Sequence, residues 1–194
     1  MNILLLGPPG SGKGTQAKKI HDTYGVAHIA TGDMIREIKE LDTPLGREVK
    51  EVYDRGDLVD DEMMIRLIRD RLSRGDTLPG FVLDGFPRTM PQSEALDELL
   101  DELGRSIDVV FELQVRDREQ LLERILKRAA QENRSDDTAE VIRRRFENYD
   151  RETAPLVEYY RTRHGNVVGI HADRTVEEVF HEIQEALASV EARA

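Results

Sequence analysis

Residues 7–15 read Gly-Pro-Pro-Gly-Ser-Gly-Lys-Gly-Thr. A glycine followed four residues later by Gly-Lys has the spacing of a phosphate-binding loop, or P-loop. Glycines let successive main-chain N–H groups turn toward one point as an anion nest. The loop follows a continuous apolar run, Ile3-Leu4-Leu5-Leu6, and precedes a helical pattern. Its N–H groups therefore gain the positive end of a helix dipole. Lys13 supplies a mobile charge for the β- and γ-phosphates of a nucleotide. A hydroxyl near the helix start, here Thr15, suits Mg²⁺.

A second chemical group stands at Asp84, where the apolar run Phe81-Val82-Leu83 ends. A P-loop fold places there an acid that holds Mg²⁺ or its water. Arginines form the third group. Arg124 and Arg128 are four apart and share one helix face, and Arg134 and Arg145 follow. A phosphoryl group in transfer spreads negative charge over its oxygens, and guanidinium forks match that geometry. No Ser-His-Asp array is present. The five histidines show no metal spacing and read as surface or core residues.

These residues need a scaffold, and the hydropathy pattern supplies one. Short apolar runs at residues 3–6, 27–30, 81–83, 109–115 and 167–170 alternate with amphipathic stretches. Runs apolar on both faces suit strands of a parallel sheet covered by helices. Residues 15–24, 61–72, 92–103, 121–126 and 176–187 carry apolar residues at helical spacing, and Gly25 is a stop signal for the first. The alternation predicts an α/β fold: a P-loop three-layer sandwich whose five-stranded parallel sheet has helices on both faces. Two segments break it. Residues 32–60 read as helical, with Thr43-Pro44 as a start and Gly56 as a stop. Residues 128–138 are polar and should project from the core. Both are candidate insertions at the strand C-terminal edge, where open α/β sheets bind ligands.

Composition narrows the function classes. A chain of 194 residues suits one domain with a real core. There are no cysteines, which excludes disulfides and thiolate metal sites and is compatible with a reducing cytoplasm. No run of 18 apolar residues occurs, so no membrane span is expected. The opening Met1-Asn2-Ile3-Leu4 has no basic region or cleavage site, so no signal peptide is expected. The formal net charge of −11 disfavours nucleic acid or anionic lipid as partners. Arginines gathered in so acidic a chain need a local reason.

Taken together these motifs resemble the adenylate kinase family over essentially the whole chain. Gly14 rather than a hydroxyl follows Lys13, which favours the P-loop of nucleoside monophosphate kinases over that of general NTPases. The P-loop residues Gly10, Ser11, Gly12, Lys13, Gly14 and Thr15 resemble the family's ATP site. Residues 31–36, Thr-Gly-Asp-Met-Ile-Arg, resemble the start of its AMP-binding insertion. The stretch Gly56-Asp57-Leu58-Val59 resembles the segment against the AMP base and ribose. The stretch Asp84-Gly85-Phe86-Pro87-Arg88, with Gln92, resembles its third-strand signature. Arg124, Arg128, Arg134, Asp136, Asp137 and Arg145 resemble its lid region, in a short form without the long insertion or its cysteines, so no structural zinc is expected.

The resemblance implies a core at 1–29, 60–126 and 138–194, an AMP-binding insertion at 30–59 and a short lid at 127–137. It implies that Thr31, Arg36, Arg88 and Gln92 bind AMP, with Gln92 on the adenine edge. Thr31 also stands where it could cap a helix beginning near Asp33. Arg124 and Arg128 are implied on ATP phosphates, Arg134 and Arg145 bridging toward AMP, and the main chain near Arg174 on the ATP adenine. Arg143 and Arg144 read as surface ion-pairing residues. The implied reaction is ATP + AMP ⇌ 2 ADP with Mg²⁺, by a cytoplasmic monomer. Both insertions are expected to close over the substrates and exclude water. Two rivals remain. A uridylate/cytidylate kinase has a similar fold, but Thr31 and Gln92 favour adenine. A P-loop regulatory switch is opposed by Gly14 and by the absence of an Asn-Lys-x-Asp motif.

Overall fold

The computed structural model describes residues 1–132 and 138–192. Five parallel strands form one sheet: β1 (Asn2–Leu6), β2 (Ala27–Ala30), β3 (Phe81–Asp84), β4 (Val109–Gln114) and β5 (Val167–His171), in the order β2-β3-β1-β4-β5. The period-2 alternation of side chains splits β1 between two cores. Leu4 and Leu6 join Phe81, Leu83 and Val110 on one face, and Ile3 and Leu5 join Val82, Val109 and Phe111 on the other.

Helices seal both faces. On one side lie α4 (Asp61–Leu72), α5 (Met90–Glu102) and α8 (Leu156–His164), packing Met64, Ile68, Leu96, Leu100 and Tyr160 onto the sheet. On the other lie α1 (Lys13–Tyr24) and α9 (Val176–Glu191), with Ala17, Ile20, Val179, Ile183 and Leu187. This is the three-layer sandwich that the alternating pattern implies. Burying one such Leu or Ile contributes about 2 kcal/mol, so strand apolarity on both faces is what forces helices above and below.

Local signals set the element ends. Gly25, at φ 69°, closes α1 in the left-handed conformation. Residues 32–60 hold all but the first residue of α2 (Thr31–Lys39) and all of α3 (Pro44–Asp54). Thr43 caps α3 by accepting from the Gly46 N–H, with Pro44 in the first turn, and Gly56 at φ 79° follows its end. Beyond β4 run α6 (Arg118–Glu132) and α7 (Ala139–Asn148), and a π-helical turn, Tyr149–Thr153, leads into α8. Two expectations are corrected. α2 begins at Thr31 itself with Ala30 as its cap residue, so Thr31 is not the cap. The apolar positions at helical spacing over 121–126 do not all face the core: on α6, Leu121 and Ile125 are buried, whereas Leu126 is exposed.

Register decides what meets what at the C-terminal edge. Asp84 lies beside Leu5 on one flank and Ala30 on the other. β1 is central, so the loop leaving it at Gly7 emerges between the ends of β3 and β4.

Candidate active site

A cavity of about 1200 Å³ opens at that edge. The phosphate-binding loop forms its floor: Gly10, Ser11, Gly12, Lys13, Gly14 and Thr15 all line it. Gly12 stands at φ 95°, and α1 begins at the next residue. Gly10, at φ 80°, admits no side chain, because a Cβ there would stand 2.8 Å from the Leu121 carbonyl oxygen and 3.0 Å from Ile125. The loop thus rests directly on α6, which fixes Arg124 and Arg128 relative to Lys13.

Lys13 Nζ donates to the Gly7 carbonyl at 2.8 Å and the Pro8 carbonyl at 3.0 Å. Burial pushes its ammonium down to about 8. Asp84 opposes that shift, while Arg88 and Arg128 add to it. Asp84 is reached from below, since a Cβ on Gly14 would stand 3.2 Å from its Oδ2. His28 Nε2 stands 3.9 Å from the same oxygen, an ion-pair rather than a hydrogen-bond distance. Burial pushes the Asp84 carboxyl up, but His28, Lys13 and Arg88 outweigh it and hold the group below its usual value.

These residues fit a hard divalent cation. A carboxylate kept ionised beside the phosphate loop, with Thr15 lining the same cavity, is the sparse protein donor set that Mg²⁺ uses when phosphates and water complete its shell. Among the described residues no cluster of three or more His, Asp or Glu forms a self-sufficient metal cage.

Arg36, Arg88 and Arg145 line the opposite wall around Tyr53. Arg36 donates to the Tyr53 hydroxyl at 3.0 Å and pairs with Asp33. The Arg145 guanidinium lies over the Tyr53 ring, 5.3 Å from its centre. Arg88 Nε donates to the Gly85 carbonyl at 2.6 Å. Solvent in the cleft reaches Arg88, yet protein surrounds it. That crowding, with Arg145 and Arg36 nearby, pushes its pKa below the usual arginine value. Three cations held around one point make a site for a dianion such as a phosphate monoester.

The main chain of Arg88 is pinned from two sides. Its N–H donates to Gln92 Oε1 at 2.8 Å, and its carbonyl accepts from Thr153 Oγ1 at 2.8 Å. Gly85, at φ 84°, permits the close approach: a Cβ there would stand 2.7 Å from Thr31 Oγ1 and 2.9 Å from Arg88 Nη2. At the other end of the cavity, Arg124 donates to the Ala172 carbonyl at 2.9 Å and to Gln120 at 2.9 Å. Arg174 lines the cavity while its guanidinium turns to Glu182 at 2.7 Å. Ala172 lines the cavity beside it.

Most expected site residues therefore converge, and a few do not reach the wall. Gly85, Leu58 and Pro87 line the cavity. Thr31 is buried behind it, its hydroxyl donating to the Asp84 carbonyl at 3.2 Å. Phe86 is a core residue, and Val59 packs against the same cluster. Asp57 is held by Arg144 at 2.6 Å and Arg55 at 3.3 Å, and the Arg144 bond is the main cause of its lowered pKa. Gln92 is 2 % exposed, one hydrogen bond behind Arg88. Arg134, Asp136 and Asp137 lie outside the described residues.

Sequence reading missed His28, Tyr53, Asp61, Asn148 and Thr153. Asn148 Nδ2 donates to the Gly56 carbonyl at 3.0 Å, tying α7 to the segment after α3. Only the π-helical turn brings Thr153 to Arg88, and its sequence shows no break in helical pattern. Tyr53 left a faint signal, an aromatic four residues after the buried Val49 on a short helix.

The family described as adenylate kinase matches residues 5–165 of this chain. The adenylate kinase of Micrococcus luteus is 47 % identical over 188 residues, covering 97 % of this chain and 91 % of that protein. That of Xanthomonas euvesicatoria pv. vesicatoria is 44 % identical over 187 residues, covering 96 % and 99 %. That of a Geobacillus species is 42 % identical over 218 residues, covering 98 % and 100 %. The Geobacillus alignment exceeds the 194 residues of this chain, so that relative carries residues with no counterpart here.

Proposed function

The chain belongs to the adenylate kinase family, and from that premise we propose how its residues divide the work of moving a phosphoryl group from ATP to AMP to give two ADP. The observation that carries the proposal is that Lys13, Asp84, Arg88, Arg128 and Arg145, distant in sequence, line one cavity large enough for two nucleotides. We take a monomer as the unit of activity.

ATP phosphates lie in the nest of residues 10–15. Lys13 exchanges the Gly7 and Pro8 carbonyls for β- and γ-phosphate oxygens, and Arg124 and Arg128 lie along the same chain of phosphates. The ATP adenine lies against the main chain near Arg174. AMP enters from the insertion at 30–59, its phosphate between Arg36 and Arg88, with Arg145 between the two nucleotides and Arg134 joining it. Leu58 and Val59 bracket its base and ribose together with Asp57 main-chain atoms, Thr31 and residues 85–87 back the site, and Gln92 pairs with the adenine edge. Residues 127–137 act as the short lid of this arrangement.

The nucleophile is an AMP phosphate oxygen, which is already anionic, so no general base is required. Transfer rests on positioning and on charge stabilisation by Lys13 and the arginines. Each well-placed guanidinium is worth about 3–4 kcal/mol at the transition state. Thr15 and Asp84 would hold Mg²⁺, which when bound neutralises charge on the β- and γ-phosphates.

A coupled assay of ADP formed from ATP, Mg²⁺ and AMP, CMP or UMP in turn tests this reading. AMP is expected to be the preferred acceptor. Faster turnover of UMP or CMP would replace it with the pyrimidine reading, and hydrolysis without transfer would support a switch.

A further inference from the structure

The side chain behind Arg88 carries an orientation lock. A carboxamide offers two N–H donors at one end and two lone pairs at the other. In Gln92, Oε1 accepts from the Arg88 N–H at 2.8 Å and Nε2 donates to Asp61 Oδ1 at 2.7 Å. Turned over, the amide would set N–H against N–H at Arg88 and oxygen against carboxylate at Asp61. Both contacts are repulsive in a site where Gln92 is 2 % exposed and water cannot relieve them. Asp61 is itself held, since the Thr89 hydroxyl donates to the same Oδ1 at 3.0 Å and Asp61 opens α4. Thr89 also caps α5, two residues before Pro91 and three before Gln92.

With two valences used by the protein, Gln92 keeps one lone pair on Oε1 and one N–H on Nε2. That pair complements a purine edge with an amino group at C6 and a lone pair at N1. A 6-oxopurine presents the reverse, an acceptor at C6 and an N–H at N1. An unrestrained glutamine would meet it by turning over; a locked one cannot.

We infer that Asp61 is a specificity-determining positioning residue, which holds Gln92 in the orientation that accepts a 6-aminopurine monophosphate and rejects a 6-oxopurine one. The inference rests on the reading that Gln92 meets the acceptor base. The structural alternative is that Asp61, Thr89 and Gln92 only fasten α4 to α5. That role would move stability but not base preference.

The test compares kcat/KM for AMP and for inosine 5′-monophosphate in the wild type, Asp61→Asn, Asp61→Glu, Thr89→Val and Gln92→Ala, with a thermal melt of each. The ratio is taken on a single sample, so any unfolded fraction cancels. An asparagine at 61 can present either an N–H or an oxygen, so Asp61→Asn should lower the AMP preference by about tenfold, mostly through KM. Asp61→Glu should retain most of the preference, and Thr89→Val should lower the melting temperature without changing the ratio. A wild-type ratio in Asp61→Asn, beside a lost one in Gln92→Ala, overturns the role of Asp61 and leaves Gln92 on the base. A wild-type ratio in Gln92→Ala overturns the base contact itself, and this inference with it. If Asp61→Asn does not fold, Asp61→Ser reads the same ratio.

Discussion

Thr153 Oγ1 donates to the main-chain carbonyl of Arg88 at 2.8 Å, joining a π-helical turn to the loop after β3. Sixty-five residues separate the two, and the bond fixes the peptide that carries a phosphate-site guanidinium. Thr153→Val keeps the side-chain shape and leaves the carbonyl without this donor, at a cost of about 1–3 kcal/mol. The expected result is a raised KM for AMP with the KM for ATP close to wild type. Steady-state kinetics with each nucleotide varied in turn checks it, and equal changes in both KM values would contradict a local role.

Lys13 titrates at about 8 because burial outweighs Asp84. Phosphate binding uses the charged form, so kcat/KM for ATP should fall above pH 8, about tenfold per pH unit. Lys13→Arg should remove that limb from the accessible range. A profile flat to pH 9.5 in the wild type would show that Lys13 is not the group required.

The same shift has a stability consequence. The folded value lies below the ordinary 10.5, so between about pH 8 and 10.5 the unfolded chain binds more protons than the folded one. Lys13 therefore contributes stability that rises with pH through that window, as its burial penalty disappears. Lys13→Met should nearly abolish turnover, keep the fold and erase this rise in chemical denaturation measured at pH 8 and pH 10.

Tyr53 serves Arg36 through its hydroxyl and Arg145 through its ring. Tyr53→Phe removes one hydrogen bond to a charged group, about 1.5 kcal/mol, and should raise the KM for AMP severalfold. Tyr53→Ala also removes the cation–π contact and should lower kcat as well. Identical kinetics in the two variants would rule out separate roles for hydroxyl and ring.

Gly85 combines φ 84° with a Cβ position already claimed by Thr31 and Arg88. Gly85→Ala strains the backbone by about 1–3 kcal/mol and displaces the Arg88 guanidinium. A lower melting temperature and a larger loss for AMP than for ATP are expected. Calorimetry with AMP and ATP separately makes the comparison.

The sequence by itself determined the fold class and the phosphate loop. Apolar runs at 3–6 and 109–115 could be buried only on both faces, which forces a sheet between helices. The loop works through main-chain N–H groups and one lysine, so residues 7–15 announce it with no help from the rest of the chain. Thr43-Pro44, Gly56 and Gly25 marked their helix ends for the same reason, each acting within a few residues of itself. Tertiary structure alone decided the second layer. It buried Thr31 and Gln92 at the back of the site, turned Asp57 toward Arg144, and brought Thr153 and Asp61 to groups far away in sequence. Those roles depend on strand register and on how helices pack across the sheet. A hydroxyl or a carboxylate in sequence carries no mark of the distant partner that the fold will give it.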